Sequence, residues 1–239
     1  MLKGPRVASA PHFARHFLEE FTSRRLYREG RNSLLWATMA AWIPNKMFMI
    51  DIETSGVDPR KDEVLQIAIL EMNFHDGFWA KGKTFNFFQH TDRKPTTKFT
   101  IEHMKEIFDR CNAAPFVPPS DVRKMILDFC KDCGADAPNI FFCGWNAGIF
   151  DLPFLAHHGY LFPAKYENDQ LVGDCHYRIY EISGALNLAA NVRGSNEINL
   201  VLKEAQKMGP KIEGNRHEAL YDCERQMHIL NALIKMLRP

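Results

Sequence analysis

The 239-residue sequence predicts an α/β fold, a five-stranded mixed β-sheet flanked by helices. Three observations predict it. Three short apolar runs follow one another closely from Met47 onward, joined by turn-like links. A fourth apolar run, Asn139–Trp145, arrives only after two stretches of helical periodicity. The last third of the chain keeps that helical spacing almost to its end.

Met47–Glu53 is apolar enough for a buried first strand. Glu63–Asn73, rich in Val, Ile and Leu, is the second, and Phe78–Gln89 the third, with Gly82 marking a turn or bulge within it. The links hold Asp58-Pro59 and Asp76-Gly77, so these strands form an antiparallel meander. Thr100–Cys111 places Ile101, Met104, Ile107 and Phe108 on one face of a helix that Thr100 would cap. After a Pro-rich loop, Ser120–Cys133 does the same with Val122, Met125, Ile126 and Phe129. Asn139–Trp145 is the fourth strand, Ala147–His158 a helix and Gln170–Cys175 the fifth strand. Helices over about His176–Ala190, Ile198–Met208 and Arg216–Leu237 complete the chain.

Composition excludes several classes. At 46% hydrophobic and 25% charged residues, the chain supports an ordinary core without metal or disulfide staples. No apolar run approaches the roughly 18 residues that a membrane span needs. Net charge is +1 but uneven. Residues 1–46 carry eight basic and three acidic side chains, and the remainder 22 basic and 26 acidic. Phe13, Phe17 and Phe21 lie at helical spacing among these arginines, so the segment reads as a transit peptide, a docking helix or an upstream extension with Met47 as the working start. It is set apart from a body spanning 47–239. The six scattered cysteines include one C-x-x-C pair, Cys130 and Cys133, with no second pair for a zinc site. Reduced thiols favour a reducing compartment, the cytoplasm. The mitochondrion is the alternative if residues 1–46 are a transit peptide.

The chemistry sits in three places. Asp51 and Glu53, two apart on the first strand, share one face. Unpaired carboxylates within an apolar strand cost several kcal/mol or more to bury, a cost that a hard divalent cation removes. A strand ending at Ile50, with both acids in water, explains the pair equally well. Asp151 opens the helix after the fourth strand, and His217 with Asp222 opens the last one. Five residues on a helix turn through about 500°, so those two side chains converge only if His217 precedes the helix. Each has an ordinary explanation alone. With strands one and four adjacent, all would meet at one end of the sheet, where four carboxylates without cations would repel.

These residues carry a resemblance. Asp51-Ile-Glu53-Thr54-Ser55-Gly56, then Asn146 with Phe150-Asp151 and Phe154-Leu155, then His217-x-Ala219-x-x-Asp222 are similar to the three ordered motifs of the DEDDh exonuclease superfamily. That group includes proofreading subunits of bacterial replicative polymerases, RNase T and oligoribonuclease. The resemblance covers about Met47 to Leu237 and implies a ribonuclease-H-like fold. It implies that Asp51, Glu53, Asp151 and Asp222 hold two Mg²⁺ ions, with Mn²⁺ able to substitute. His217 would be the general base, and Thr54, Ser55, Gly56 and Asn146 would hold the terminal nucleotide. Asp174, after the expected fifth strand, is similar to an acidic position of supporting role.

The implied activity is 3′→5′ hydrolysis at a single-stranded nucleic acid 3′ end, releasing 5′-nucleoside monophosphates. Divalent cations offset charge developing on the phosphoryl, attacking and leaving oxygens. A histidine titrating near 6.5 suits proton removal near neutrality. The second motif is closer to the RNase T and proofreading branch, which leans the substrate toward DNA. Three other readings stay open: an oligoribonuclease-like enzyme acting on short RNA, a catalytically inactive binding or inhibitor protein on the same fold, and an RNase-H-like endonuclease. Oligomeric state is also open, a homodimer included.

Overall fold

The computed structural model describes residues 44–195 and 197–237. The basic segment expected over 1–46 lies outside the described residues except for its last three.

The meander forms as expected, from β1 (Lys46–Thr54), β2 (Val64–His75) and β3 (Phe78–Phe88). β1 and β2 are antiparallel from Lys46↔Asn73 to Glu53↔Gln66. The β2–β3 link is the two-residue turn Asp76-Gly77, both with positive φ (50° and 81°), the backbone that a tight hairpin of the right twist demands. Gly82 marks a bulge, since the β2–β3 register shifts between Leu70 and Met72. A Cβ at Gly82 would lie 2.4 Å from the Glu71 carboxylate, which accepts the Lys83 N–H at 3.0 Å.

The expected helix Thr100–Cys111 is two helices, α1 (Lys98–His103) and α2 (Lys105–Ala113), broken at Met104. Thr100 is not the cap. Thr97 is, and Thr100 is its reciprocal partner in a capping box. α3 (Pro119–Asp132) buries Val122, Ile126 and Cys130 at i, i+4 and i+8. β4 (Phe142–Gly144) runs parallel to β1, and α4 (Asp151–His157) follows it.

The fifth strand is not where periodicity placed it. Gln170–Val172 is β6, which pairs with β5 (Lys165–Glu167) in a separate hairpin turned by Asn168 and Asp169, both at positive φ. The strand that extends the main sheet is β7 (Tyr180–Glu181), parallel to β4. A two-residue strand leaves no alternation, and Ile179, Ile182 and Leu186 continue at helical spacing through it. The helix expected from His176 therefore starts later, as α5 (Ile182–Val192). α6 (Ile198–Met208) has the expected bounds, and α7 (Ala219–Leu237) ends as expected but starts three residues late.

The main sheet has the order β3-β2-β1-β4-β7. On one face Met47, Met49, Ala68 and Leu70 pack with residues of α5, α6 and α7, among them Leu186, Val201 and Met227. On the other Phe48, Ile50, Ile52, Ile67 and Phe142 pack against α3 and α4. β1, flanked by strands on both edges and by helices on both faces, is the strand that carries Asp51 and Glu53.

Candidate active site

Alternation along β1 puts Asp51 and Glu53 on the face of Met47 and Met49, the face covered by α7. Asp222 lies in the first turn of α7. Oxygens of Asp51, Glu53 and Asp222 lie within 4.8 Å of one another, at a spacing that suits shared cation binding. β4 ends at Gly144, packed so closely on β1 that a Cβ there would fall 2.8 Å from the Ile50 carbonyl oxygen. The chain then turns through Asn146, at φ 60°, whose carbonyl accepts the N–H groups of Ile149 and Phe150. That turn delivers Asp151 as the first residue of α4, where its Oδ1 accepts the Ile52 N–H at 2.9 Å. Asp151 is thereby clamped to β1 between the two strand acids.

Asp51, Glu53 and Asp151 are shifted by burial and by acidic neighbours. Burial, then Asp151, Glu53 and Asp222, hold the Asp51 carboxyl well above the usual range, against a lowering hydrogen bond from Gln226. Burial, then Asp222 and Asp151, push Glu53 up to about 8. Burial pushes Asp151 up to about 7 despite the Ile52 N–H, and Glu181 adds to the rise. Oxygen-only donors that repel in this way fit a hard divalent cation.

His217 precedes α7, as convergence requires, with φ 65°. Its N–H donates to Asp222 Oδ2 at 3.3 Å. Its ring packs on α1, 5.2 Å from the Phe99 ring and 5.3 Å from that of His103. So the backbone of His217 touches the acidic cluster while the imidazole faces an aromatic group. Beside it a cleft of about 570 Å³ is lined by residues including His103, Lys105, Asn215 and Arg216.

Thr54 ends β1 directly beyond Glu53, and Ser55 and Gly56 lead out of it. Thr54 Oγ1 donates to the Gly56 carbonyl at 2.5 Å, while Ser55 exchanges two hydrogen bonds with Glu63, one through its N–H and one through Oγ. A Cβ at Gly56 would meet the Asp62 carboxylate at 2.4 Å, so a side chain there would displace Asp62.

Asp174 is not part of the cluster. It is 3% exposed and held by the Arg123 fork at 2.7 and 2.8 Å and by the Phe162 N–H at 2.8 Å. The acid that ends the fifth strand of the main sheet is Glu181. Its Oε1 accepts the Gly148 N–H at 2.7 Å, and its buried Oε2 has no hydrogen-bond partner among the described residues. Sequence reasoning missed Glu181 because β7 was too short to see. It also missed Gln226, although an amide on the apolar stripe of Ala219, Cys223 and Met227 was a signal of something to hydrogen-bond.

The exonuclease family model of RNase T type matches residues 48–230. No curated protein matches the chain significantly by sequence. Among solved structures, the zinc-bound complex of Escherichia coli exonuclease I with single-stranded DNA superposes with a TM-score of 0.55 at 14% identity, over 82% of this chain and 41% of that one. Cell-death related nuclease 4 gives 0.59 at 17% identity, over 81% and 64%. A 3′-exonuclease that recognises a histone mRNA stem-loop gives 0.55 at 16% identity, over 81% of each chain. The chain thus spans less than half the length of exonuclease I, and these likenesses show the ribonuclease-H-like fold. With the family match covering most of the chain, the chain belongs to the RNase T exonuclease family.

Proposed function

We propose that the chain uses two divalent ions, Mg²⁺ or in its place Mn²⁺, to remove nucleotides from the 3′ end of single-stranded nucleic acid, with DNA preferred. The convergence of Asp51, Glu53 and Asp222, with Asp151 clamped beside them, carries this reading. The four carboxylates would hold the ions, which when bound supply positive charge to offset that of the reacting phosphodiester. Thr54, Ser55, Gly56 and Asn146 would hold the terminal nucleotide. His217 takes the proton of the attacking water at a ring nitrogen, which requires the imidazole to turn from Phe99 and His103 toward the acids. The water oxygen bonds to phosphorus, the bond to the 3′ oxygen of the penultimate nucleotide breaks with its electron pair on that oxygen, and a proton from solvent completes the hydroxyl while His217 returns its own proton to solvent. A 5′-nucleoside monophosphate is released.

The choice of DNA rests on the likeness of the second motif to the RNase T and proofreading branch. The fold is shared with structures bearing either polymer and does not discriminate. The test uses 5′-labelled single-stranded DNA and RNA oligomers of one sequence with Mg²⁺, Mn²⁺ or EDTA. A ladder shortening from the 3′ end with mononucleotide release, faster on DNA and absent in EDTA, is expected. Internal fragments would indicate an endonuclease, faster RNA loss an exoribonuclease, and intact strands under every metal a binding protein.

A further inference from the structure

Gln226 lies one helical turn after Asp222 on α7, so both side chains project toward β1. It is 5% exposed. Its Nε2 donates to Asp51 Oδ1 at 2.8 Å, and its Oε1 accepts the Trp145 N–H, just beyond the end of β4, at 2.9 Å. The amide is thus held at both ends. Its orientation is fixed by chemistry, because the Trp145 N–H needs an acceptor and the carboxylate needs a donor.

We propose that Gln226 is a positioning residue for metal binding, fixing which oxygen of Asp51 is presented to the ions. This rests on the metal-dependent reading above. A carboxylate on a short side chain rotates broadly about its last torsion. Among the described residues, the Gln226 amide makes the one side-chain hydrogen bond to Asp51, so Oδ1 is engaged and Oδ2 is left for a ligand role. The donor is neutral. A lysine or arginine in its place would cancel the charge that attracts the cations, whereas an amide orients the acid and leaves its charge intact. Because Oε1 is anchored on Trp145, the same side chain ties Asp51 to the strand that leads into Asp151. Gln226 thereby sets two of the four acids in a fixed relation from the helix that bears a third. Partners of this kind, hydrogen-bonded to a metal ligand, typically account for 10- to 100-fold in metal affinity.

The test measures Mn²⁺ affinity by calorimetry on full-length wild type, Gln226→Met and Asp222→Ala, with melting in EDTA as the check of folding. Rates on a single-stranded oligomer are followed against Mg²⁺ concentration. We expect folded Gln226→Met to bind Mn²⁺ about tenfold or more weakly and to need correspondingly more Mg²⁺. Its KM for the oligomer should match wild type once metal saturates. A merely structural role would lower the melting temperature and leave metal affinity alone, and a folded Gln226→Met with wild-type Mn²⁺ affinity overturns the inference. If Gln226→Met is unfolded, Gln226→Asn, which keeps a buried amide too short to bridge both partners, carries the same expectation and the same refutation. Wild type that binds no Mn²⁺ would instead overturn the metal-dependent reading itself.

Discussion

Glu53→Gln removes one charge from the acidic cluster, and it should stabilise the metal-free protein while abolishing hydrolysis. The Glu53 carboxyl rises from an ordinary 4.5 to about 8 in the fold, through burial first and then Asp222 and Asp151. An acid that holds its proton more tightly when folded penalises the fold as pH rises. The penalty is absent below about pH 4.5, grows through the interval and is complete above about pH 8. A tenfold change in proton affinity is worth about 1.4 kcal/mol, which bounds the full penalty near ~5 kcal/mol. Partial exposure and proton sharing among the neighbouring acids reduce this to about 2 kcal/mol. For a body of this size each kcal/mol moves Tm by about 2–4 °C. In EDTA at pH 8, Glu53→Gln should therefore melt about 4–8 °C above wild type, and at pH 5 within about 2 °C of it. Circular dichroism melts at the two pH values measure this. Excess Mg²⁺ should close the gap, because wild type then gains binding energy that the variant lacks. Equal melting temperatures at both pH values in EDTA would refute the idea that burial and the neighbouring acids together penalise the charged Glu53 carboxylate in the metal-free fold.

Asp51→Ala and Asp222→Ala should each abolish turnover on a labelled strand while retaining cooperative melting; undiminished hydrolysis by either removes the carboxylates from the mechanism. His217→Ala should lower kcat by about 10²- to 10⁴-fold, the range for a lost acid/base, with Mn²⁺ affinity little changed. Wild-type kcat in that variant would assign the proton to another group. Arg123→Met should leave the buried Asp174 charge without its fork and destabilise by about 2–4 kcal/mol, read as a fall in Tm. Adding Asp174→Asn to it should recover part of the loss, and a double variant no more stable than the single one would argue against the ion pair as the cause.

The strands of the meander could be read because each is long enough to show its pattern, and because Asp76-Gly77 and Gly82 announce their turn and bulge chemically. The first acidic motif could be read because Asp51 and Glu53 interrupt an otherwise apolar strand, and the other two because Asp151 and Asp222 each sit where a helix opens. What escaped was set by tertiary context. β7 has two residues, below the length at which alternation exists, and it forms a strand because β4 offers an unpaired edge. The break at Met104 leaves Ile101 exposed while Met104, Ile107 and Phe108 are buried, and apolar spacing in the sequence ran straight through it. The ring of His217 lies against Phe99 and His103, a contact between segments more than a hundred residues apart that no local spacing encodes.

The antiparallel ladder between β1 and β2, from Lys46↔Asn73 through Glu53↔Gln66, has a consequence for quality control. Side chains alternate along a strand, so slipping β1 by one residue would turn Asp51 and Glu53 into the greasy layer beneath α3 and α4. Ile50 and Ile52 would then replace them beside Asp222. A mispaired chain would bury naked charge and lose its chemistry in the same event. A cell would therefore not meet a misaligned but active nuclease, because the alignment that makes the fold affordable is also what arms it.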